Sequence, residues 1–368
     1  MLKKITNLFA KKPDVVGIEI NPQRINITQI AKQGQQYKLL TNVSAEMPEG
    51  VYEDGQIIDS LTLSELIKDT FKQNRINATQ VITAVPMREA IIRLIPVPAE
   101  LDEEELKDMV MVHEAGMYLP YPREEVDLDY VKLGYFMDED GIEKVNVLLV
   151  ATKQEVTDLY LEIFEQAELK LRVLEINSFA LIRTIKEQLR QFGSQEAVVL
   201  VDIEFDSTEI AIIVEGVPQF SRTVPFGASQ MHQAYAQGMG LPMSDDLDLL
   251  KDIQLMPGAH DGDETGATQM NPGISALLKI MGELIEELGR SINFYLNQSE
   301  DLEIAQLLLA GPGAGIEQID DFFAHRLNLP AMQVDPVATL ALEVSNDLSS
   351  SDRFGLGIAL GLGLREVA

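Results

Sequence analysis

The chain has 368 residues, 46% of them hydrophobic and 24% charged, and 29 Lys and Arg set against 59 Asp and Glu give a formal net charge of −30. The length allows two or three domains with a sizeable core, and the composition is that of a globular protein. The charge argues against nucleic acid as a partner, the lack of cysteine excludes disulfide and thiol chemistry, and no apolar run approaches the roughly 18 residues of a membrane helix.

Residues 1–13 carry Lys3, Lys4, Lys11 and Lys12 without an acid before Asp14, and Leu2, Ile5, Leu8 and Phe9 fall near helical spacing. This basic amphipathic segment reads either as a weak foot for an anionic membrane face or a partner, or as a frayed terminus, because about 12 residues make a marginal helix alone. It lacks a secretory apolar core, so cytoplasm is the expected compartment. Residues 15–20 and 25–30 read as the strands of a hairpin around Asn21-Pro22-Gln23-Arg24. A helix is expected over 61–74, with Ser64 able to cap it. Strands are expected over 81–85 and 91–95, and Pro96-Val97-Pro98 breaks the pattern. Asp102-Glu103-Glu104-Glu105 opens an acidic helix that runs towards Tyr118. Strands over 126–136 and 143–151 and an amphipathic helix over 153–166 complete an inserted α+β unit, 96–170.

A strand over 171–176 and a helix over 177–192 return to the first domain, whose two parts are 14–95 and 171–196. The second domain, 197–368, opens with Val198-Val199-Leu200-Val201-Asp202-Ile203, the turn Glu204-Phe205-Asp206-Ser207-Thr208-Glu209, and Ile210-Ala211-Ile212-Ile213-Val214. Its design repeats the first hairpin: apolar strand, acid near its end, short polar turn, second apolar strand. Next come a strand over 219–224, a helix over 229–238, and an Asp-, Gly- and Pro-rich stretch, 243–273. That stretch holds a short helix near 245–253 and a loop over 260–271. A long helix over 274–297, a buried strand over 307–310 feeding Gly311-Pro312-Gly313-Ala314-Gly315, a helix over 316–327 and an apolar Gly-rich helix over 354–364 end the chain. No Gly-x-x-x-x-Gly-Lys-Ser/Thr loop is present. His113, His232, His260 and His325 lack zinc spacing, and Asp261, Asp263 and Glu264 do not match a calcium loop.

A hairpin repeated once per half-chain implies two similar domains facing a shared cleft. The order of hairpin, inserted unit, hairpin and Leu307-Leu308-Leu309-Ala310-Gly311-Pro312-Gly313-Ala314 resembles the actin-like ATPase superfamily. Within it the chain is similar to the PilM family of type IV pilus assembly proteins, relatives of FtsA. The likeness covers nearly all of the chain and includes Leu8-Phe9-Ala10-Lys11-Lys12-Pro13 and Tyr118-Leu119-Pro120-Tyr121-Pro122-Arg123 continuing to Asp127-Leu128-Asp129-Tyr130. It also includes Ser221-Arg222-Thr223-Val224-Pro225-Phe226-Gly227, Gly289-Arg290-Ser291-Ile292-Asn293-Phe294-Tyr295 and Gly355-Leu356-Gly357-Ile358-Ala359-Leu360-Gly361-Leu362. The resemblance implies an α/β, actin-like (FtsA-like) two-domain fold with duplicated hairpin-containing subdomains and an inserted α+β subdomain. It further implies a cytoplasmic adaptor, peripheral to the inner membrane, that binds the N-terminal cytoplasmic tail of PilN. The groove for that tail is expected between the first domain and the insert. The adaptor would link PilN to the pilus motor ATPases or platform protein, with at most weak ATPase activity and no assigned catalytic residue.

The resemblance also implies ATP and Mg2+ as cofactors. The family's phosphate turns read acid-Ile-Gly and then small residues whose backbone N–H groups cradle the phosphates. Onto those turns fall Asn21, Gln23 and Arg24 in the first half, and Asp202, Asp206, Ser207 and Thr208 in the second, with Asp202 as the metal candidate. Gly311, Gly313 and Ala314 match the turn at the adenosine end, and Glu286 and Arg290, four apart on the preceding helix, would flank adenine and ribose. The substitutions in the turns count against phosphate. Pro22 has no N–H, Glu204 stands where glycine leaves room, and the added carboxylates of Glu204 and Asp206 repel phosphate unless a cation intervenes. Arg24 either meets a phosphate or faces solvent. Two readings follow, an adaptor with a degenerate nucleotide site or an ATP-switched version of the same adaptor. A small-molecule kinase would need intact phosphate turns, and the acidic surface disfavours a filament former at low salt.

Overall fold

The computed structural model describes residues 14–367 apart from 35, 54, 243, 245–246, 251–252, 254, 256–270, 299–301 and 345–347. The basic segment 1–13 and nearly all of the loop expected over 260–271 lie outside the described residues.

The first lobe starts as an antiparallel meander of β1 (Val15–Ile20), β2 (Arg24–Gln33) and β3 (Gln36–Glu46). β1 is buried along almost its whole length, which its near-continuous apolar run requires. β3 was not foreseen: it is an edge strand, half exposed on both faces, so its apolar alternation is weak. A minimal hairpin of β4 (Tyr52–Glu53) and β5 (Gln56–Ile57) leads into α1 (Ser60–Gln73) and then β6 (Gln80–Val85), which lies parallel to β1. The cap of α1 is Asp59, whose carboxylate accepts the Thr62 N–H at 3.0 Å. Ser64, the residue expected to cap, sits in the second turn and donates its hydroxyl to the Ser60 carbonyl.

The inserted sheet has the strand order β7-β9-β8, built from β7 (Ala90–Pro98), β8 (Val126–Met137) and β9 (Glu143–Lys153). β7 runs through both Pro96 and Pro98 instead of stopping before them, because it is an edge strand paired with β9 alone, where proline is tolerated. Between β7 and β8 the acidic helix comes in pieces: α2 (Glu103–Asp108), one wide π turn (Met109–Glu114) and α3 (Ala115–Tyr118). Asp102 and Glu105 form a reciprocal capping box at its start. A small core of Ile95, Val97, Leu106, Val110, Val147 and Leu149 holds this unit together.

α4 (Gln154–Gln166) returns the chain to the first lobe and buries Tyr160, Ile163 and Phe164 in its core. β10 (Lys170–Ile176) completes a five-stranded sheet of order β10-β6-β1-β2-β3. The helix expected over 177–192 is two helices, α5 (Asn177–Thr184) and α6 (Lys186–Leu189), interrupted at Ile185.

The second lobe repeats the plan. β11 (Glu196–Ile203), β12 (Thr208–Val214) and β13 (Val217–Val224) form a meander. They are followed by α7 (Ala228–Met239), a 3-10 turn at Leu247–Leu250 where a short helix was expected, and α8 (Pro272–Leu296). β14 (Glu303–Ala310), α9 (Ile319–Leu327) and β15 (Ala331–Gln333) close a sheet of order β13-β12-β11-β14-β15. In each lobe the central strand pairs antiparallel with its hairpin mate and parallel with a strand that arrives after helix. The duplication seen in the two hairpins therefore extends to strand order and pairing sense.

After α10 (Pro336–Thr339) and α11 (Ser350–Phe354), α12 (Gly357–Leu364) crosses back and packs on α5, β1 and β2. Glycine permits this close approach: a Cβ on Gly361 would run into the Ala180 carbonyl. One core then joins both lobes, with Val16, Ile18, Val81 and Phe164 continuous with Val198, Leu200, Leu308, Ile358 and Leu362.

Candidate functional site

The two hairpin turns face each other across the interlobe cleft, and each is closed on itself. In the first, the Asn21 side-chain carbonyl oxygen accepts the backbone N–H groups of Gln23 and Arg24 at 3.1 and 3.0 Å. The Asn21 amide donates to buried Glu19 at 3.0 Å, and Asn26 donates to the other Glu19 oxygen at 3.1 Å. The N–H groups that would cradle a phosphate are thus already bonded to a side chain, and Pro22 brings none. Arg24 is half-buried and reaches Asp352 on α11 at 2.7 Å.

In the second turn the Glu204 N–H bonds the Ser207 carbonyl at 2.9 Å, while the Glu204 and Phe205 carbonyls accept from the start of α7. Asp206 pairs with Arg88 of the first lobe at 3.3 Å. The Ser207 hydroxyl donates to Asp206, and the Thr208 hydroxyl to the Phe226 carbonyl at 2.6 Å. Asp202 is buried, and among the described residues neither of its oxygens has a hydrogen-bond donor. Burial and the neighbouring acids push both Asp202 and Glu204 well above the usual carboxylate range, and burial raises Glu19 as well. Among the described residues no three acidic or imidazole side chains converge in a metal-ligating group.

Gly311 adopts φ +82°, and a Cβ there would lie 2.6 Å from the Asp202 carboxylate, so this turn demands glycine. Gly313 and Ala314 are buried against it, and the Ala314 carbonyl accepts from Gln333. Glu286 and Arg290 lie on α8 as an exposed pair 3.9 Å apart, and Arg290 is closer to Glu287.

The structure therefore gathers Asn21, Gln23 and Arg24 with Glu204, Pro312 and Asp352 around one cavity of about 80 Å³. That is well below the roughly 300–1,000 Å³ of a small-molecule site. Glu204 projects into it from where a phosphate turn has bare backbone.

A second, larger concavity lies where the family resemblance led a groove to be expected, though none of its lining residues was named from the sequence. A groove of about 570 Å³ runs between the first lobe and the insert. Tyr52, Gly55 and Ile57 form one wall, Val156, Leu159 and Tyr160 of α4 another, and Pro86, Glu89 and Lys153 the floor and rim. The Tyr52 hydroxyl donates to the Gly55 carbonyl and accepts from Arg88 at 2.7 Å, and burial pushes its pKa up to about 12. Its walls come from three separate stretches of chain, so no local motif announces it; the amphipathic face of α4 was the one legible part.

The sequence pattern of the type IV pilus assembly protein PilM family matches residues 17–367. The chain belongs to the PilM family. A solved PilM-PilN type IV pilus biogenesis complex is similar over 97% of this chain and 100% of that chain, at 22% identity and a TM-score of 0.78. The ethanolamine utilization protein EutJ from Carboxydothermus hydrogenoformans is similar over 95% and 88%, at 12% identity and a TM-score of 0.52. MreB5 of Spiroplasma citri bound to ADP is matched over 89% and 96%, at 12% identity and a TM-score of 0.49. The fold of this PilM-family chain is the actin-like ATPase fold, with the duplicated mixed sheets described above. No helix among its described residues is long and apolar enough to cross a membrane.

Proposed function

We propose that this PilM-family chain is an adaptor of pilus assembly that takes the N-terminal cytoplasmic tail of PilN into the groove between the first lobe and the insert, where α4, within the stretch 96–170, faces β5 and the Pro86 to Glu89 turn. The observation that carries this reading is the groove itself, about 570 Å³ with apolar walls of Ile57, Val156 and Leu159 and charged rims of Glu89 and Lys153. Such a channel suits an extended peptide with alternating apolar and charged side chains. Bound there, the chain is held at the inner membrane from the cytoplasmic side and presents its remaining surface to the pilus motor or platform.

The interlobe cleft, in this reading, is a degenerate nucleotide site. Support comes from the Asn21 side chain on the turn N–H groups, from Glu204 in the cavity and from the Arg24–Asp352 bridge at its mouth. ATP and Mg2+ are then dispensable for peptide binding. Calorimetric titration with a PilN-tail peptide tests both statements. Binding is expected with and without Mg-ATP, and Val156→Lys should weaken it at least tenfold with an unchanged melting temperature. Absence of binding in every nucleotide condition would end the adaptor reading. Micromolar ATP binding by the wild type would replace the degenerate cleft with a nucleotide-switched one.

A further inference from the structure

The turn Pro86 to Glu89 touches the groove and the second lobe at once. Pro86 and Glu89 line the groove, and the Glu89 carbonyl accepts the Thr152 hydroxyl from the insert at 2.7 Å. The residues between them point the other way. The Met87 N–H donates to buried Glu209 on β12 at 2.7 Å, and Arg88 donates to Asp206 in the second cleft turn. Arg88 also holds Tyr52 in the groove wall, so its guanidinium has one arm on each site.

The two arms are unequal. The bond to Tyr52 is 2.7 Å, while the bond to Asp206 is 3.3 Å, long for a charge-assisted pair that ordinarily closes to about 2.8 Å. Gly55 presses on the same guanidinium: a Cβ at that position would lie 2.6 Å from its central carbon. Arg88 is therefore placed by Tyr52 and Gly55, and Asp206 takes what reach remains. Whatever displaces the Tyr52 hydroxyl releases Arg88 towards Asp206.

We propose that Arg88 couples the groove to the interlobe cleft, so that peptide seated against Tyr52 changes the hold on the Glu204 to Ser207 turn. The proposal rests on the groove being the peptide site. Arg88 acts here as a positioning residue with two arrangements, and both sites bias the choice between them. By linkage, loosening Asp206 must be felt in the groove.

Hydrogen exchange of the full chain, read by mass spectrometry with and without saturating PilN-tail peptide, tests this. In the wild type the peptide should slow exchange over 52–57 and change exchange over 204–208 at least threefold. Asp206→Asn should keep the first effect and abolish the second, and Arg88→Lys, which keeps the charge but not the fork, should do the same. Protection over 52–57 with no change over 204–208 in the wild type would overturn the coupling, as would a change that survives in both variants. Should the peptide bind nowhere, the adaptor reading falls, and the unliganded protein decides the coupling: Asp206→Asn alone must alter exchange over 52–57 at least threefold, and an unchanged rate there overturns it.

Discussion

Replacing Glu209 by glutamine should stabilise the protein above neutral pH and have little effect in acid. Glu209 lies on β12 between the lobes, and its carboxylate accepts the Met87 N–H with one oxygen while the other has no partner. Burial raises its pKa from 4.5 to about 7, with Asp206 raising it further and the Met87 N–H and Arg88 opposing. The folded protein therefore holds this proton over a range where the unfolded chain has lost it. The stability this group contributes is fully present below 4.5, falls as pH rises from 4.5 to about 7, and is gone above that. Its ionised form is disfavoured in the fold by about 3 kcal/mol at the top of that window. The glutamine side chain would keep the acceptor for Met87 and remove the buried charge, so the gain at pH 8 should approach about 3 kcal/mol. For a lobe-sized cooperative unit that is roughly 6–12 °C in melting temperature. Thermal unfolding of wild type and Glu209→Gln in parallel from pH 4.5 to 8.5 is the assay, with the difference between them as the readout. A difference that does not grow with pH, or a variant less stable at pH 8, would mean that Arg88 holds Glu209 ionised and that the burial argument fails.

Gly311→Ala should destabilise by about 2–4 kcal/mol, since it combines a left-handed φ with overpacking against the Asp202 carboxylate; calorimetric melting checks it, and a neutral result would mean the turn can move off Ile203. The double substitution Asn21→Gly with Glu204→Gly should tighten Mg-ATP binding by about 10–100-fold over wild type, because it frees two backbone donors and removes a carboxylate from the cavity. Equilibrium titration measures this, and unchanged affinity would place the obstruction elsewhere, with the Arg24–Asp352 bridge next in line. A Glu204→Gln change on its own should raise stability above neutral pH in the same sense as at position 209, since burial and the neighbouring acids disfavour its charge; urea titration at pH 5 and 8 would show a pH-independent difference if that cause is wrong.

The architecture was legible because both halves carry the same buried-strand signal. Val198 to Ile203 and Ile210 to Val214 are apolar on both faces, and only a central sheet position accommodates that. Edge elements were less legible for the converse reason: β3 is half wet on both faces, and β7 carries prolines that would be fatal in a central strand. At the cleft, the residues named from the turns do lie at the turns, but their bonding is not local. Arg24 finds Asp352 more than three hundred residues away, and Asp206 finds Arg88 in the other lobe. Asn21 is instructive because its capture of the Gln23 and Arg24 N–H groups is a two- and three-residue interaction, of the kind an Asn before a proline turn favours. The place of the groove was expected from the family resemblance, but its lining could not be read, since Tyr52, Pro86 and Leu159 meet only in three dimensions.

What holds the lobes together bears on whether a ligand is needed between them. In this chain the interlobe contacts are the protein's own: Arg24 to Asp352, Met87 to Glu209, Arg88 to Asp206, and Thr28 to the Ala359 carbonyl under a shared apolar core. The two buried hydrogen bonds, Met87 to Glu209 and Thr28 to Ala359, contribute about 0.5–3 kcal/mol each, and the two part-exposed ion pairs contribute less because solvent screens them. On the proposed reading, several of them on top of a continuous core would make closure independent of phosphate. Asp202 and Glu204 at the second turn, whose charge burial disfavours, oppose an incoming anion when they ionise. The Pro86 to Glu89 turn that makes two of these contacts also lines the groove, together with β5 and α4. On the reading proposed above, a degenerate phosphate cradle and a preformed peptide channel would be consequences of one set of contacts.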